Sequence, residues 1–593
     1  MSSTARFREI WLVDFEFSIG ADGLPQPICM VAIELRSGQS VRLWFAGGDG
    51  QLAPFDLRAE ALFVAYFASA EFGCFLALGW ERPANTLDLY AEFRNATNGM
   101  DLAAGNGLLG ALCFYGLPFM STETKDELRG LALRGGPFSD DEAAALIDYC
   151  ASDVQALAAL FGAMEASVDL GRALLRGRYM WCVAEIERTG VPVDDGLLRA
   201  LRASWSELRL DLVRQLDERY SVFEDGRFRA SKFRHYLFAA GIQWPEDDRG
   251  HLCLSDDVVA DMATLHPELV PLRVGRQALA QLKPEEFAVG TDARSRTLLS
   301  PFRSKTGRNQ PRSKRFVLGG SSWLRRVIRT PRDQSLAYVD WEQQEFGIAA
   351  ALSGDAAMLE AYSSGDPYLA FAKQAAAVPA SATKQSHGAE RELFKQCALG
   401  VLFGMTAYGL ATRIGKPLEA ARQLLRLHRS TFPRFWDWSD AAIYSARLNG
   451  RISTTFGWQL LVTDETNDRT LRNYPMQANG AEMLRLAVIF ARELGVSICA
   501  PVHDALLIDA PAAEIQAAVT AVRAAMAEAS RVVLDGVELR TDVQLVASEA
   551  HFPGNDPAGI WQLVDRVISR GAASAPSAER QHPPALSISM EIG

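Results

Sequence analysis

The sequence predicts a multidomain protein that combines α/β and α+β architecture. Three observations support this prediction: the length, the apolar content, and the order of the strand and helix patterns. A chain of 593 residues is long enough for about three to five domains, and a hydrophobic content of 48% is sufficient for several buried cores. Strand patterns dominate the first 45 residues, the middle of the chain is mostly helical, and strand patterns return after residue 334.

The first predicted domain is an α/β unit over residues 1–168. Within residues 8–45, three segments have the alternating, aromatic and β-branched composition of strands: EIWLVDFEFSI, PICMVAIEL and VRLWF. Helical patterns follow, and the last of them covers residues 140–164. Strands followed by helices predict a sheet that helices cover.

The rest of the chain divides where the pattern and the charge change. A mainly helical region precedes a strand–helix unit at 335–353, long helices follow, and an apolar hairpin is predicted at 496–510. The end of the chain is rich in Pro, Ser and Ala, which predicts a flexible tail. The predicted segments are 169–300, 301–352, 353–446, 447–569 and the tail 570–593.

Composition excludes several classes of protein. No run approaches the roughly 18 apolar residues of a membrane helix, and the N-terminus lacks the apolar core of a signal peptide, so we expect a cytoplasmic protein. The eight cysteines form no CxxC pair and the eight histidines no HExxH motif, which argues against zinc. Any metal is therefore expected to be a hard ion such as Mg²⁺ on carboxylates.

The net charge of −11 argues against uniform electrostatic binding of nucleic acid, but its distribution argues for local binding. Residues 294–332 contain 12 Lys and Arg and no Asp or Glu, so the other 554 residues carry a net charge of −23. Such a strip predicts one basic channel, with non-specific and salt-sensitive contacts to phosphates.

Two acidic motifs occur in the first domain. In VDFEF, Asp14 and Glu16 alternate with apolar residues, so on a strand both carboxylates share one face. Paired carboxylates repel each other unless a divalent cation lies between them. Tyr149 and Asp153 are four apart in a helical pattern and share a face. Each motif alone also fits an ordinary surface.

Together these motifs resemble the DEDD 3′–5′ exonucleases of the RNase H-like fold, which hydrolyse phosphodiesters with two metals. The family's second motif has an Asn and a metal-binding Asp, whereas AYFASAEFGCFLALGW has Phe67 and Glu71 at those positions. Asp88 lies too far along the chain to be the first choice. The extra methylene of Glu71 leaves open whether such an exonuclease is active.

Three later segments place polar residues at defined positions. An apolar strand ends at Asp340, and a hairpin turn presents His503 and Asp504. A helix in between places four residues on one stripe, two cations followed by an apolar and an aromatic side chain: Arg391, Lys395, Leu399 and Phe403. Each feature alone has an ordinary structural interpretation, but their order does not.

This order resembles motifs A, B and C of the family A DNA polymerases, the group of bacterial DNA polymerase I. SKTGRNQP at 304–311 and RTLRNYPMQANGAEMLR at 469–485 extend the resemblance, and RLNGRISTTFGWQL at 447–460 matches more loosely. The resemblance implies an RNase H-like exonuclease domain followed by a right-hand polymerase. Its thumb would be 169–300, its palm 301–352 and 447–569, and its fingers 353–446.

The resemblance also implies roles for individual residues. Asp340 and Asp504 would hold two Mg²⁺, and Arg391 and Lys395 would bind the triphosphate. The other implied nucleotide contacts are Gln343, Glu345 (which would exclude a 2′-hydroxyl), Leu399 and Phe403. The implied DNA contacts are Arg308, Arg469, Asn473, Gln477 and His503. The exonuclease residues would be Asp14, Glu16, Glu71, Tyr149 and Asp153, with two more Mg²⁺ if that site is active.

Several positions depart from the family pattern. Leu399 and Phe403 replace Phe and Tyr, and Ala505 replaces the Glu that usually follows the motif C Asp. Gly347 replaces an Arg, and Trp458-Gln459 replace an Arg pair. The essential carboxylates and phosphate-binding cations remain, so the resemblance implies an active enzyme with altered accessory contacts.

The expected protein is a monomeric, template-directed DNA polymerase that adds dNTPs to a primer on primer–template DNA, with proofreading by a 3′–5′ exonuclease left open. No 5′-nuclease domain is expected, since the exonuclease-like domain starts at the first residues. Phage or mobile-element replication and bacterial DNA repair are both open roles, and protein partners and template preference are unknown. Two alternatives are a protein that works mainly as an exonuclease and a non-catalytic DNA-binding accessory.

Overall fold

The structure is a computed structural model in which most of the chain is described. The described residues are 3–45, 52–119, 122–247, 249–281, 288–312, 315–319, 322–554, 556 and 559–574. The predicted tail beyond residue 574 lies outside them.

The N-terminal part is a five-stranded mixed sheet with helices packed on it. The strand order is β3-β2-β1-β4-β5; β1, β2 and β3 are antiparallel, and β4 and β5 run parallel to β1. Its strands are β1 (Glu9–Ile19), β2 (Pro25–Glu34), β3 (Ser40–Trp44), β4 (Ala61–Ala65) and β5 (Thr86–Asp88). Its helices are α1 (Ser69–Leu78), α2 (Leu89–Thr97), α3 (Leu108–Phe114), α4 (Thr122–Arg134) and α5 (Asp140–Met164). The three predicted strands and the helix at 140–164 are therefore confirmed.

Helix α5 begins where the sequence provides a complete capping box. The Ser139 side chain accepts the Glu142 backbone N–H, and the Glu142 carboxylate accepts the Ser139 backbone N–H. This start sets the helical register, which turns Tyr149 and Asp153 toward β1. Within the described residues one stretch, 140–167, is long and apolar enough to cross a membrane, but α5 packs on β1 and β2 as a core helix.

The middle of the chain is mostly helical, as predicted. Its helices are α6 (Leu170–Thr189), α7 (Asp195–Ala203), α8 (Trp205–Tyr220), α9 (Ala230–Ala239), α10 (Asp256–Leu265) and α11 (Val270–Gln281). Short strand pairs join them: β6 (Val191–Pro192) with β9 (Arg294–Ser295), and β7 (Phe223–Glu224) with β8 (Arg227–Phe228). The amphipathic stretch 197–220 contains two helices, since α7 ends at Ala203 and α8 begins at Trp205.

The C-terminal part is built on a four-stranded antiparallel sheet in the order β13-β14-β10-β15. These strands are β10 (Gln334–Trp341), β13 (Ser497–Val502), β14 (Ala505–Pro511) and β15 (Thr541–Val546), and a separate hairpin pairs β11 (Arg451–Ser453) with β12 (Gln459–Leu461). The helices are α12 (Gln344–Ser353), α13 (Ala356–Ser363), α14 (Pro367–Gln374), α15 (Gly388–Leu402), α16 (Ala407–Ile414), α17 (Leu418–Thr431), α18 (Pro433–Asn449), α19 (Asp468–Glu493), α20 (Ile515–Val533) and α21 (Ile560–Ser574). The predicted strand–helix unit and hairpin are confirmed, and α21 extends into the predicted tail.

One hydrophobic core runs from the N-terminal sheet through α6 into the C-terminal sheet. Phe72 of α1 packs edge-on against Trp181 of α6, with ring centroids 5.2 Å apart. Trp458 is fully buried beneath Phe302, and its indole N–H donates to the Lys305 carbonyl at 3.1 Å. Gly307, at φ +73°, leaves room for this ring, since a Cβ there would lie 3.0 Å from it.

Candidate active sites

The C-terminal sheet brings Asp340 and Asp504 to one end of neighbouring strands. Asp340 lies near the end of the central strand β10 and is directly opposite Ala505 of β14. Asp504 and His503 form the turn between β13 and β14, where His503 has a left-handed backbone at φ 56°. The tight turn, rather than a long loop, therefore places Asp504 beside Asp340.

The pair is electrostatically strained without a cation. Burial and then the Asp504 carboxylate raise the pKa of Asp340 to about 7, and burial also raises the pKa of Asp504. The Oδ1 atom of Asp340 is buried and has no hydrogen-bond partner. A buried carboxylate oxygen without a donor, next to a second carboxylate, fits a hard divalent cation.

Arg308 and Glu345 line the same cleft. Burial lowers the pKa of the Arg308 guanidinium, while the carboxylates of Glu345 and Asp504 act in the opposite direction. Burial raises the pKa of Glu345, and Arg308 opposes that rise. Glu345 lies in the first turn of α12, so its backbone is fixed relative to the strand that carries Asp340. The cleft thus holds three carboxylates and one guanidinium.

Helix α15 carries most of the predicted cationic stripe. Arg391 is held by Asp366, with Nε to Oδ2 at 2.5 Å, and lies 5.6 Å from the Tyr368 ring centroid. Lys395 is 3.7 Å from Glu392 on the same helix. Leu399 is half-buried on α15, but Phe403 is not in the helix, because α15 ends at Leu402 and Phe403 is its C-terminal cap.

The remaining predicted polymerase contacts lie on α19, at the start of α12 and in the turn between β13 and β14. Arg469 at the start of α19 donates to the Phe403 carbonyl at 3.0 Å, which ties α19 to the end of α15. Asn473 has a buried Oδ1 without a partner, and Gln477 is half-buried one turn further on. Gln343 accepts a hydrogen bond from Arg540 at 3.1 Å. His503 is exposed.

The N-terminal sheet forms a second acidic cluster. Carboxylate oxygens of Asp14, Glu16 and Asp153 all lie within 4.8 Å of one another, so they could hold a metal ion. Burial and then Asp153 raise the pKa of Asp14 to about 7, and burial and Asp14 raise that of Glu16. Asp14 Oδ2 is buried without a hydrogen-bond partner, which again fits a hard cation.

Glu71 joins this cluster from the first turn of α1. Its side chain is buried, one carboxylate oxygen has no partner, and Asp14 and Glu16 add to the rise in its pKa that burial causes. Tyr149 is buried on α5 next to Asp153, and burial raises the pKa of its hydroxyl. The structure therefore brings all five predicted exonuclease residues together.

Two neighbouring residues in the second-motif region have structural roles. Asp88 caps α2, and its carboxylate accepts backbone N–H groups that include those of Phe67 and Tyr90. Phe67 is in the left-handed region at φ 68° and packs edge-on against Tyr90. Asp88 is thus occupied by backbone donors and is not part of the acidic cluster.

Lys125 of α4 is a component that the sequence analysis missed. Its ammonium contacts both oxygens of Asp153 at 2.7 and 3.0 Å and lies 5.5 Å from the Tyr149 ring centroid. Asp366, which binds Arg391, was missed as well. Neither residue belongs to a recognisable motif. Lys125 lies on α4 and Asp366 is the N-cap of α14, so each is distant in sequence from the residue that it binds.

Part of the basic strip 294–332 neutralises carboxylates of the protein itself, which corrects the prediction that the whole strip forms one basic channel. Three of its arginines bind carboxylates of the protein: Arg294 to Asp509, Arg296 to Asp292 and Arg329 to Asp194. Among the residues of the strip that the structure describes, the exposed cations are Arg303, Lys305, Arg312, Arg326 and Arg332. The distribution of charge along the sequence does not show which cations form ion pairs within the fold and which face solvent.

Comparisons with known proteins agree with this geometry. The DNA polymerase I of Chloroflexus aurantiacus is 25% identical over 389 residues, which are 59% of this chain and 40% of that protein. The DNA polymerase of Mycobacterium phage L5 is 27% identical over 252 residues, which are 42% of this chain and 40% of the phage protein. The chain thus spans about two fifths of the length of these curated relatives.

A solved structure matches most of the fold. The POL domain of Pol1 from M. smegmatis, in complex with DNA primer-template and dNTP, has a TM-score of 0.71 over 92% of this chain and 96% of its own, at 19% identity. At this identity the match shows the fold, and with the sequence profile it confirms the predicted mixed α/β, right-hand architecture. Residues 319–549 match the family model described as DNA polymerase family A.

Proposed function

We propose that the protein is a template-directed DNA polymerase that adds dNTPs to a primer 3′ end. The observation that carries this proposal is the pair of strand-end carboxylates, Asp340 and Asp504, with an unpartnered buried oxygen in a cleft that also holds Arg308 and Glu345. The profile match over residues 319–549 and the fold match to a polymerase domain support it.

Asp340 and Asp504 are the residues that would hold the divalent metal ions, which we propose to be two Mg²⁺. When bound, such ions supply an activated 3′-hydroxyl and a stabilised pyrophosphate leaving group. The two carboxylates would position the metal ions. Strand β10 fixes Asp340, and the short turn between β13 and β14 fixes Asp504. Their mutual repulsion without a cation favours metal binding over an empty pair.

Arg391 and Lys395 would bind the triphosphate from α15. Arg391 already bonds a carboxylate, Asp366, so a phosphate would replace that partner with an anion of higher charge. Lys395 is about one-third exposed and keeps a longer contact to Glu392, which leaves its ammonium available. Glu345, at the base of α12, would face the sugar, and Gln343, Leu399 and Phe403 would complete the nucleotide pocket.

The DNA would contact residues around the same cleft. Arg308, Arg469, Asn473 and Gln477 are proposed at the minor groove and template, where acceptor positions are similar for every correct base pair. His503, at the exposed turn beside Asp504, is proposed to contact the primer. The proposed partners are primer–template DNA and dNTPs, and the M. smegmatis Pol1 domain was solved with both kinds of ligand.

The proposed domains are an exonuclease-like domain over 1–168, a thumb over 169–300, a palm over 301–352 and 447–569, and fingers over 353–446. The two palm segments share one four-stranded sheet, while the fingers segment holds α13 to α18 without a strand. A monomer in the cytoplasm of a bacterium or phage-infected cell, acting in replication or repair, fits relatives from bacteria and a phage.

A primer-extension assay tests the polymerase proposal. Asp340→Asn is expected to reduce extension with dNTPs and Mg²⁺ by at least about 100-fold, because the carboxylate pair loses one ligand and one charge. Asp333→Asn is the matched control, since it removes an exposed carboxylate just before the start of β10, whereas Asp340 lies near the end of that strand. Near-normal extension by Asp340→Asn would refute the proposal. In the wild-type chain, trimming without extension would support the exonuclease alternative, and DNA binding without extension would support the non-catalytic accessory.

A second function, 3′–5′ exonuclease activity, is favoured by the Asp14–Glu16–Asp153 cluster together with Glu71. The four carboxylates would hold two further Mg²⁺, and Tyr149 would orient the attacking water. Asp14→Ala should remove trimming of a mismatched primer end and leave extension unchanged. If trimming persists in that variant, this cluster is not its source.

A further inference from the structure

The C-terminal sheet places a third carboxylate beside Asp340. Strand β10 has two neighbours, and Asp340 is directly opposite Ala505 of β14 on one side and Asp542 of β15 on the other. In an antiparallel sheet, directly opposed residues point to the same face and have Cβ atoms about 4.5–5.5 Å apart. The Asp542 side chain therefore lies on the cleft face next to Asp340.

The exposure pattern of β15 agrees with this orientation. Asp542 and Gln544 are exposed, whereas Val543 between them is half-buried and opposite the fully buried Val339. Val543 thus faces the interior, whereas Leu545 further along the same face is 53% exposed, and Asp542 lies on the face that carries Asp340. A side chain on the face of Asp340 is open to solvent and to a bound cation.

The Asp542 carboxylate is bound only locally in the described part of the chain. Asp542 makes one short local contact, in which it accepts the Val543 backbone N–H at 2.8 Å. Within the described part of the chain it has no ion-pair partner, so nothing there neutralises it.

The opposite neighbour of Asp340 offers no carboxylate. Ala505 is fully buried and cannot contribute a ligand from β14. Asp340 and Asp504 supply two negative charges to a cation bound between them, and a carboxylate on a neighbouring strand would add another. Because β14 provides none, β15 is the strand beside Asp340 that can.

We propose that Asp542 is the third carboxylate of the palm cation site and helps to bind the divalent ion that Asp340 holds. The inference rests on the proposed polymerase function. Asp542 belongs to an edge strand and not to one of the three sequence motifs. Its position beside Asp340 follows from the register in which β15 pairs with β10.

Metal binding tests this directly. In the full chain with Asp14→Ala and Asp153→Ala, which remove two of the four carboxylates of the N-terminal cluster, Mn²⁺ binding is followed by electron paramagnetic resonance. Asp542→Asn should weaken binding by about tenfold. Asp542→Glu, which keeps the charge, should retain most of the affinity, and the control Asp333→Asn should bind like its parent.

A steady-state assay provides the second measurement. For Asp542→Asn, the Mg²⁺ concentration for half-maximal extension should rise about tenfold, while kcat at saturating Mg²⁺ changes less. Mn²⁺ affinity of Asp542→Asn equal to that of Asp333→Asn would overturn the inference, and so would an equal loss in Asp542→Glu. Absence of extension by the wild-type chain would instead refute the polymerase proposal, since Mn²⁺ binding is measured independently of it.

Discussion

Glu187 is a buried carboxylate outside both acidic clusters. It lies near the end of α6 and accepts the Leu299 backbone N–H at 2.7 Å. Burial raises its pKa to about 8, from an ordinary value of 4.5. Because the folded state holds its proton more tightly than the unfolded state, Glu187 favours folding at low pH. That contribution falls as the pH rises from about 4.5 and is lost above about 8.

Glu187→Gln should therefore raise the free energy of unfolding at pH 8–9 and have little effect near pH 5. Gln keeps the acceptor for Leu299 but carries no charge to bury. A shift of one pKa unit corresponds to about 1.4 kcal/mol, so the gain at high pH should be at least on the order of 1 kcal/mol. Urea unfolding at several pH values measures it, with the exposed Glu218→Gln as control. A gain that does not depend on pH would contradict this account.

At the residue scale, the sequence predicted those site residues that a local motif carries. Asp340 ends an apolar strand and Asp504 sits in a hairpin turn, and both features are visible in a short window of sequence. Lys125, Asp366 and Asp542 were not predicted. Each reaches its site through tertiary packing or strand pairing, and the sequence contains no register information for an edge strand such as β15.

At the element scale, α4 brings a positive charge to the N-terminal acidic cluster. It delivers Lys125 to Asp153, so one ammonium partly neutralises a cluster of four carboxylates. The same charge lowers the pKa of Asp14 and of Glu16 against the effect of burial. A divalent cation at this cluster would be repelled by Lys125 and would compete with it for Asp153.

Lys125→Met should therefore lower the Mg²⁺ concentration that supports trimming of a mismatched primer by several-fold, measured without dNTPs. Met keeps the packing length near Tyr149 and removes the charge. The exposed Lys416→Met, between α16 and α17, is a control for loss of one positive charge. If the variant trims more weakly at every Mg²⁺ concentration, Lys125 assists the reaction and does not compete with the metal.

Elements with strong local start and stop residues were predicted well. The boundaries of α5 match because Ser139 and Glu142 provide a complete cap, and β1 matches because its apolar residues alternate with Asp14 and Glu16. The α7–α8 break at Ser204 was not predicted, since the apolar periodicity continues across it. Phe403 was placed in a helix for the same reason: its spacing from Leu399 continues the stripe beyond the end of α15.

At the scale of the whole molecule, helix α2 joins the N-terminal domain to the C-terminal part. Asn98 donates to the carbonyls of Lys305 and Gln459, both at 2.7 Å, and Asn95 accepts the Gln459 backbone N–H at 2.8 Å. Trp458-Gln459, which replaces a basic pair of the family pattern, thus serves this interface. Glu92 and Arg176 add an ion pair between α2 and α6, at 2.6 Å, with both side chains almost fully buried.

These contacts predict that both parts unfold together, because the polar bonds of α2 lie over one continuous core. Replacing Asn95 and Asn98 by Ala removes the acceptor of the Gln459 backbone N–H and the side-chain donor to the Gln459 carbonyl, at a cost of about 1–3 kcal/mol for each unsatisfied group. Scanning calorimetry should then show a separate, earlier transition for the N-terminal domain, where the wild type shows one. Arg42→Ala, which breaks an exposed ion pair with Asp148 inside that domain, should leave a single transition because such pairs contribute about 1 kcal/mol or less. One unchanged transition in the double variant would mean that the apolar core alone couples the domains.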